Sequence, residues 1–321
     1  MPELLAMIVA DHVSKYYGAH AAVSELSFTI AAGEVVGLLG LNGAGKTTIL
    51  RLLSGLVLPT AGQVRIDGFD MASQPEAARA RLGFLPETPP LYSEMSVRAY
   101  LRFAARIRGC RGVAAATLAA LTATDLLAVQ DEPIATLSHG FQRRVGIAQA
   151  IVHRPALVLL DEPTVGLDPV QIAHMRALIH SLRGRHTILV SSHLLGEIHA
   201  LCDRIFVLQA GKIAAIGTEA ELANQVGQAT RVRLEVRGSA AELARAMASV
   251  PEVVRHTIDA EKAGVLKVTV VLRQDAREAL ATALVAAGLG LLRLERVHLE
   301  LESIFMRLTC PPPTEDPCTP S

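Results

Sequence analysis

The chain has no tryptophan, and aromatic residues make up only 3% of its 321 residues. It therefore lacks the interleaved aromatic and basic side chains on which single-stranded nucleic acids stack. Charge of one sign is missing too. Lys plus Arg and Asp plus Glu both number 31, so no global field draws the protein toward nucleic acid or anionic lipid. The four cysteines, Cys110, Cys202, Cys310 and Cys318, form no CxxC pair, a spread that suits reduced thiols rather than a zinc site or a disulfide frame. Half of the residues are hydrophobic and the mean hydropathy is +0.35. Even so, the uncharged run at 279–292 falls short of the roughly 20 apolar residues a spanning helix needs. At the N-terminus the apolar run 4–10 comes before the first basic residue, Lys15, the reverse of a secretion signal. A cytosolic chain that does not cross a bilayer is expected.

What is present points to two domains, because the length is about twice that of one. Over residues 8–217 short apolar runs alternate with longer amphipathic stretches, the pattern of a mostly parallel sheet covered by helices. Residues 35–39 and 157–160 are apolar at consecutive positions, as strands buried on both faces should be. Chemistry in such sheets sits just beyond the carboxyl ends of the strands. Between these runs, residues 71–131 are Ala- and Arg-rich with helical spacing, broken by Pro86, Pro89 and Pro90; the spacing predicts a helical subdomain over about 71–155. Arg102, Arg106, Arg108 and Arg111 within it read as a solvated helix face. After residue 217 the texture changes to strand, helix, strand, strand, helix, strand, the split βαβ pattern of a small ferredoxin-like α+β module over 228–309. The Pro-rich residues 310–321 read as a disordered tail.

Two motifs carry chemistry. Gly40-Leu41-Asn42-Gly43-Ala44-Gly45-Lys46-Thr47-Thr48 follows one buried strand and opens a helix, the context a P-loop requires. Its glycines let successive N–H groups face a polyphosphate, Lys46 reaches the β- and γ-phosphates, and the Thr47 hydroxyl can ligate Mg²⁺. The second buried strand ends in Asp161-Glu162. An Asp there can hold Mg²⁺ through water, and the Glu after it points a carboxylate beyond the γ-phosphate, where it can polarise an attacking water.

With these residues in hand, the sequence over about 7–217 resembles the ATP-binding cassette (ABC) ATPases, a P-loop NTPase family. Leu137-Ser138-His139-Gly140-Phe141 looks like the family signature, Gly166-Leu167-Asp168 like the D-loop, Ser191-Ser192-His193 like the switch histidine, and Tyr17 like the aromatic that stacks on adenine. The resemblance implies an ATP hydrolase with ATP and Mg²⁺ as cofactors. It implies a second copy of the chain whose signature, through Ser138 and Gly140, closes over the P-loop of the first. By the same resemblance, bound ATP would be contacted by Tyr17, Asn42, Gly43, Ala44, Gly45, Lys46, Thr47 and Thr48. In the family's scheme His193 contacts the γ-phosphate and holds the water with Glu162, and Asp168 couples the two sites.

Some positions depart from the common pattern. Glu87 stands where most members have Gln, His139 where the signature has Gly, Phe141 where it has Gln, and Leu41 where the P-loop often has Pro. Glu87 keeps an oxygen that can face Mg²⁺ but adds negative charge beside a triphosphate. Similar departures mark an exporter branch of the family that moves drugs, lipids or polysaccharides. The run Leu85-Pro86-Glu87-Thr88-Pro89-Pro90-Leu91-Tyr92 and the ending Leu301-Glu302-Ser303-Ile304-Phe305 resemble that branch. The implied role is the ATPase subunit of an exporter, peripheral on the cytoplasmic face, docked through residues 87–97 on a separate multi-span permease and without a nucleic-acid partner. Two rival readings are weaker. Soluble cassette proteins of ribosomes or DNA carry two cassettes or a long coiled coil, whereas about ninety residues without sustained heptads separate the two motifs here. A regulatory cassette that binds ATP without hydrolysing it has no need of both Glu162 and His193.

Overall fold

The computed structural model describes residues 6–226, 230–262 and 264–297. The chain divides into two compact units between Thr218 and Glu219. The first unit opens with strands β1 (Ala6–Tyr17), β2 (His20–Ala31) and β3 (Val35–Gly40), helix α1 (Lys46–Leu53), strands β4 (Ala61–Ile66) and β5 (Phe69–Asp70), and helix α2 (Pro75–Ala80). Strand β6 (Leu82–Leu85) then leads into helices α3 (Val97–Ile107), α4 (Val113–Ala123) and α5 (His139–Ile151). It closes with β7 (Leu157–Asp161), α6 (Pro169–Leu182), β8 (Thr187–Ser192), α7 (Leu195–Leu201), β9 (Arg204–Gln209) and β10 (Lys212–Gly217).

Six strands form the main sheet in the order β10-β9-β3-β8-β7-β6, parallel throughout except for the β9–β10 hairpin. Every residue of β3, β7 and β8 is buried, which is why residues 35–39, 157–160 and 188–190 are apolar without alternation. A second, antiparallel sheet, β2-β1-β4-β5, was not expected from the sequence. Its strands are wet on one face: Leu26, Phe28 and Ile30 of β2 are buried with exposed residues between them, and Gly18 at φ 59° supplies the tight turn from β1 to β2. Helix α1 is part of the shared core, where Leu50 and Leu53 meet Ile8, Ile30 and Ile66 of the antiparallel sheet and Leu38, Leu159 and Leu189 of the parallel one.

The helical layer differs from expectation at its start. Residues 71–131 contribute β6 to the edge of the main sheet beside β7, and a strand of four residues is too short to interrupt a helical period legibly. The helical core proper gathers Val97, Leu101, Leu121 and Val145 from α3, α4 and α5. Ser96 caps α3 by accepting from the Ala99 N–H at 3.3 Å. Arg102, Arg106 and Arg111 are exposed, as a solvated face requires.

The second unit holds α8 (Glu219–Val226), β11 (Thr230–Arg237), α9 (Ala240–Ala248), β12 (Val253–Lys262), β13 (Val265–Leu272), α10 (Arg277–Ala286) and β14 (Gly290–Val297). Its sheet runs β12-β13-β11-β14, every neighbouring pair antiparallel. Strand β13 thus lies between β11 and β12, the split βαβ topology. A capping box joins Ser239 and Glu242 at the start of α9. The branch-like ending at 301–305, Cys310, Cys318 and the tail 310–321 lie outside the described residues. No helix among the described residues is long and apolar enough to cross a membrane.

Candidate active site

Strand order explains how distant motifs meet. Strands β3, β8, β7 and β6 are consecutive neighbours in the main sheet. Their carboxyl ends deliver, side by side, the P-loop, Ser191 to His193, Asp161 with Glu162, and Glu87. Adjacent register pairs Leu39 with Ser192 and Asp161 with Ser191.

The P-loop bends as its glycines allow. Gly43 has φ 83° and Gly45 φ 105°, and a Cβ on Gly45 would lie 2.7 Å from the Ala22 carbonyl oxygen, so no side chain fits at Gly45. Lys46 is 6% exposed; its Nζ donates to the carbonyls of Gly40 at 2.7 Å and Leu41 at 3.3 Å and lies 3.3 Å from Glu162 Oε1. The other oxygen of Glu162, Oε2, is 2.9 Å from His193 Nδ1. With Glu162 ionised, that contact requires a proton on Nδ1. Glu162 itself has φ 46°, a left-handed backbone at a non-glycine residue, and its N–H donates to Ser191 Oγ at 2.9 Å.

Behind this pair sits Asp161, fully buried. Its Oδ1 accepts from Ser191 Oγ at 2.7 Å and Thr47 Oγ1 at 3.4 Å. Its Oδ2 is buried without a hydrogen-bond partner, and burial pushes the carboxyl above the usual carboxylate range while the Ser191 and Thr47 hydroxyls pull it down. A buried carboxylate with one oxygen unpartnered, beside a threonine hydroxyl, fits the all-oxygen demand of a hard divalent cation.

Tyr17, Asn42, Gly43, Gly45, Lys46, Thr47, Thr48, Glu87, Glu162 and His193 line one cavity of about 570 Å³. Ala44 instead packs into the core. Tyr17 is 47% exposed, with Lys15 Nζ 5.4 Å from its ring centroid. The remaining sequence candidates lie elsewhere. Ser138 caps α5, its Oγ accepting from the Phe141 N–H at 3.5 Å, and Asp168 caps α6 by accepting from the Gln171 N–H at 2.9 Å. Ser138 and Gly140 line a separate cavity with Leu167 and Gln171.

The structure also brings in residues to which sequence reasoning gave no role. The buried Glu197 of α7 accepts on Oε2 from Thr164 Oγ1 and, at 3.2 Å, from Ser192 Oγ. It thereby ties the loop after Glu162 to the residue before His193. No spacing rule announces this, because its partners come from β8 and from the loop after β7. The sole hint is a carboxylate among apolar neighbours in the run Leu194 to Leu201.

Fold and cavity together define a P-loop nucleotide-binding protein. A family model described as "ABC transporter" matches residues 23–165. Over 313 residues, 94% of this chain and 98% of the relative, the sequence is 32% identical to the linearmycin resistance ATP-binding protein LnrL of Bacillus subtilis (strain 168). Over 305 residues it is 33% identical to the daunorubicin resistance ATP-binding protein DrrA3 of Streptomyces coeruleorubidus, covering 94% of this chain and 95% of that one. A solved structure described as the ATP binding subunit of an ABC transporter matches with a TM-score of 0.62 at 31% identity, over 68% of this chain and 92% of the other. The chain belongs to the ABC transporter family, among its ATP-binding proteins of export and resistance type.

Proposed function

We propose that this chain binds ATP with Mg²⁺ and hydrolyses it to drive export through a separate multi-span permease, working as a pair of copies on the cytoplasmic face of the membrane. The observation that carries the reading is Glu162, whose two oxygens meet Lys46 and His193 inside one cavity. The P-loop N–H groups and Lys46 receive the β- and γ-phosphates. Thr47 and Asp161 hold Mg²⁺, with Glu87 as a further oxygen; when bound, the ion supplies positive charge to the phosphates. Glu162 takes the proton of the attacking water, and His193, fixed by Glu162 at Nδ1, presents Nε2 toward the γ-phosphate. Tyr17 stacks on adenine.

Ser138, Gly140 and Asp168 lie away from the cavity that holds Lys46, which supports completion of each site by a second copy: Ser138 and the N–H groups at the start of α5 donate to phosphate from the partner, and Asp168 couples the two sites. For the permease, support comes from a groove of about 370 Å³ lined by Tyr92, Tyr100, Phe103 and Ile107, just after the Pro-constrained loop at 87. Tyr92 stacks edge-on with Tyr100 and Phe103 at 5.9 and 5.5 Å and is 53% exposed, as Ile107 is 68%. Such an apolar surface suits a short amphipathic helix of the permease. Export is supported by the names of the relatives LnrL and DrrA3, both resistance proteins.

Glu162→Gln keeps the shape and removes the base. Steady-state ATPase activity should fall by about 10² to 10⁴-fold while ATP binding persists; a variant with normal turnover would overturn the assignment. Phe103→Asp should abolish co-purification with the permease, and association left intact would count against the groove.

A further inference from the structure

Arg143 is a charge the mechanism above does not use. It lies in α5, 3% exposed, and its Nη1 is buried with no hydrogen-bond partner. Guanidinium stays protonated even when buried, so an interior arginine needs nearby negative charge. The helix shows where that charge is. Gly146, one turn further along the same face, packs so closely that a Cβ there would lie 2.5 Å from Leu85 Cδ1 and 3.1 Å from Pro89 Cβ, the residues that flank the Glu87 loop on either side. The face of α5 that carries Arg143 is thereby held toward the loop of Glu87; burial pushes the guanidinium below its usual range, and the negative charges of Glu87, Asp161 and Glu162 oppose that. On its other side Arg143 Nε donates to His139 Nε2 at 3.4 Å, and the His139 ring lies against Gly166, in the loop that leads to Asp168.

Two of the four departures from the family pattern, Glu87 and His139, thus act on one side chain. We propose that Arg143 is a positioning residue that neutralises the acidic Glu87 at the edge of the nucleotide cavity, with His139 orienting its guanidinium. This rests on the nucleotide reading of that cavity. Without Arg143, and with no cation bound, Glu87, Asp161 and Glu162 would have only Lys46 to offset them, and a triphosphate would add to the excess. With glutamine at 87 the demand on Arg143 is smaller, because only Asp161 and Glu162 remain.

The test is a double-mutant cycle on the full chain. Binding of a fluorescent trinitrophenyl-ATP, with Mg²⁺ and with EDTA, is titrated for the parent, Arg143→Gln, Glu87→Gln and the double variant. Arg143→Gln should weaken binding about tenfold when Glu87 is present and less than about threefold when Gln stands at 87. Equal losses in the two backgrounds would overturn the proposal, because a merely structural role for Arg143 does not depend on the charge at 87. Thermal unfolding without nucleotide gives a second reading: Arg143→Gln should lower the midpoint and Glu87→Gln restore much of it. If the parent fails to bind the probe, the nucleotide reading falls, while coupled midpoints still uphold the charge pairing and additive ones still overturn it. Should Arg143→Gln aggregate, a soluble double variant supports the pairing and an aggregated one refutes it.

Discussion

The two units of the chain treat buried polarity in opposite ways. Among the described residues, every buried polar or charged side chain lies in the first unit, including Lys46, Arg143, Asp161, Glu162, Thr164, Ser191, Ser192 and Glu197. The second unit buries Val232, Leu234, Val236, Leu266, Val268, Val270, Leu280 and Leu284 around two helices, a wholly apolar core, and keeps its ion pairs outside, as between Arg233 and Glu295 or Lys267 and Glu235. Taking charges out of water is unfavourable unless each finds a partner. Interior charges collected at the carboxyl ends of adjacent strands therefore mark where a fold gives up stability for chemistry. An interior without them marks a fold whose sequence is free to serve packing.

The contrast can be broken from either side. Leu234 is fully buried at the centre of the second unit's sheet, so Leu234→Ala should destabilise that unit by about 2–5 kcal/mol, measured by denaturant unfolding, with ATPase activity under native conditions unchanged. A loss of nucleotide turnover in that variant would show that the second unit is not a bystander to the site. In the first unit, Glu197→Ala strips the Thr164 and Ser192 hydroxyls of their shared acceptor. Leaving buried hydroxyls unpaired costs about 1–3 kcal/mol, and slower ATP turnover should accompany it, because those residues flank Glu162 and His193. If stability falls and turnover does not, the network serves only the fold.

The same contrast governs what the sequence reveals. The P-loop is legible because its chemistry is contiguous: a strand, a glycine turn and a lysine at the start of a helix are local events. Asp161 and Glu162 are legible because a fully apolar run stops at them. Strands β11 to β14 are equally plain, since alternation and turns are local too, and the order predicted for residues 231–297 is the one found. What escaped depends on which strands lie side by side. Ser191 matters because β8 sits between β3 and β7, and Arg143 because Gly146 lets α5 close onto the loop after β6. The antiparallel sheet of β1, β2 and β4 escaped for a related reason. Its half-wet strands occur in the same stretch as the fully buried ones, and only pairing separates two sheets that share one core.

The smallest expected effect tests the second unit's surface. Arg233 Nη1 lies 3.6 Å from Glu295 Oε1, their side chains 52% and 35% exposed, and Arg293 Nη2 also reaches Glu295 at 2.7 Å. An exposed pair at this distance contributes about 0–1 kcal/mol, because water screens it and ordering two long side chains opposes it. Glu295 in addition keeps Arg293 when Arg233 is removed. Arg233→Ala should therefore shift the unfolding free energy by less than about 0.5 kcal/mol and leave ATPase activity untouched. A larger loss of stability would mean that this outer face carries energy the apolar core does not, and that the second unit, like the first, depends on where its charges lie.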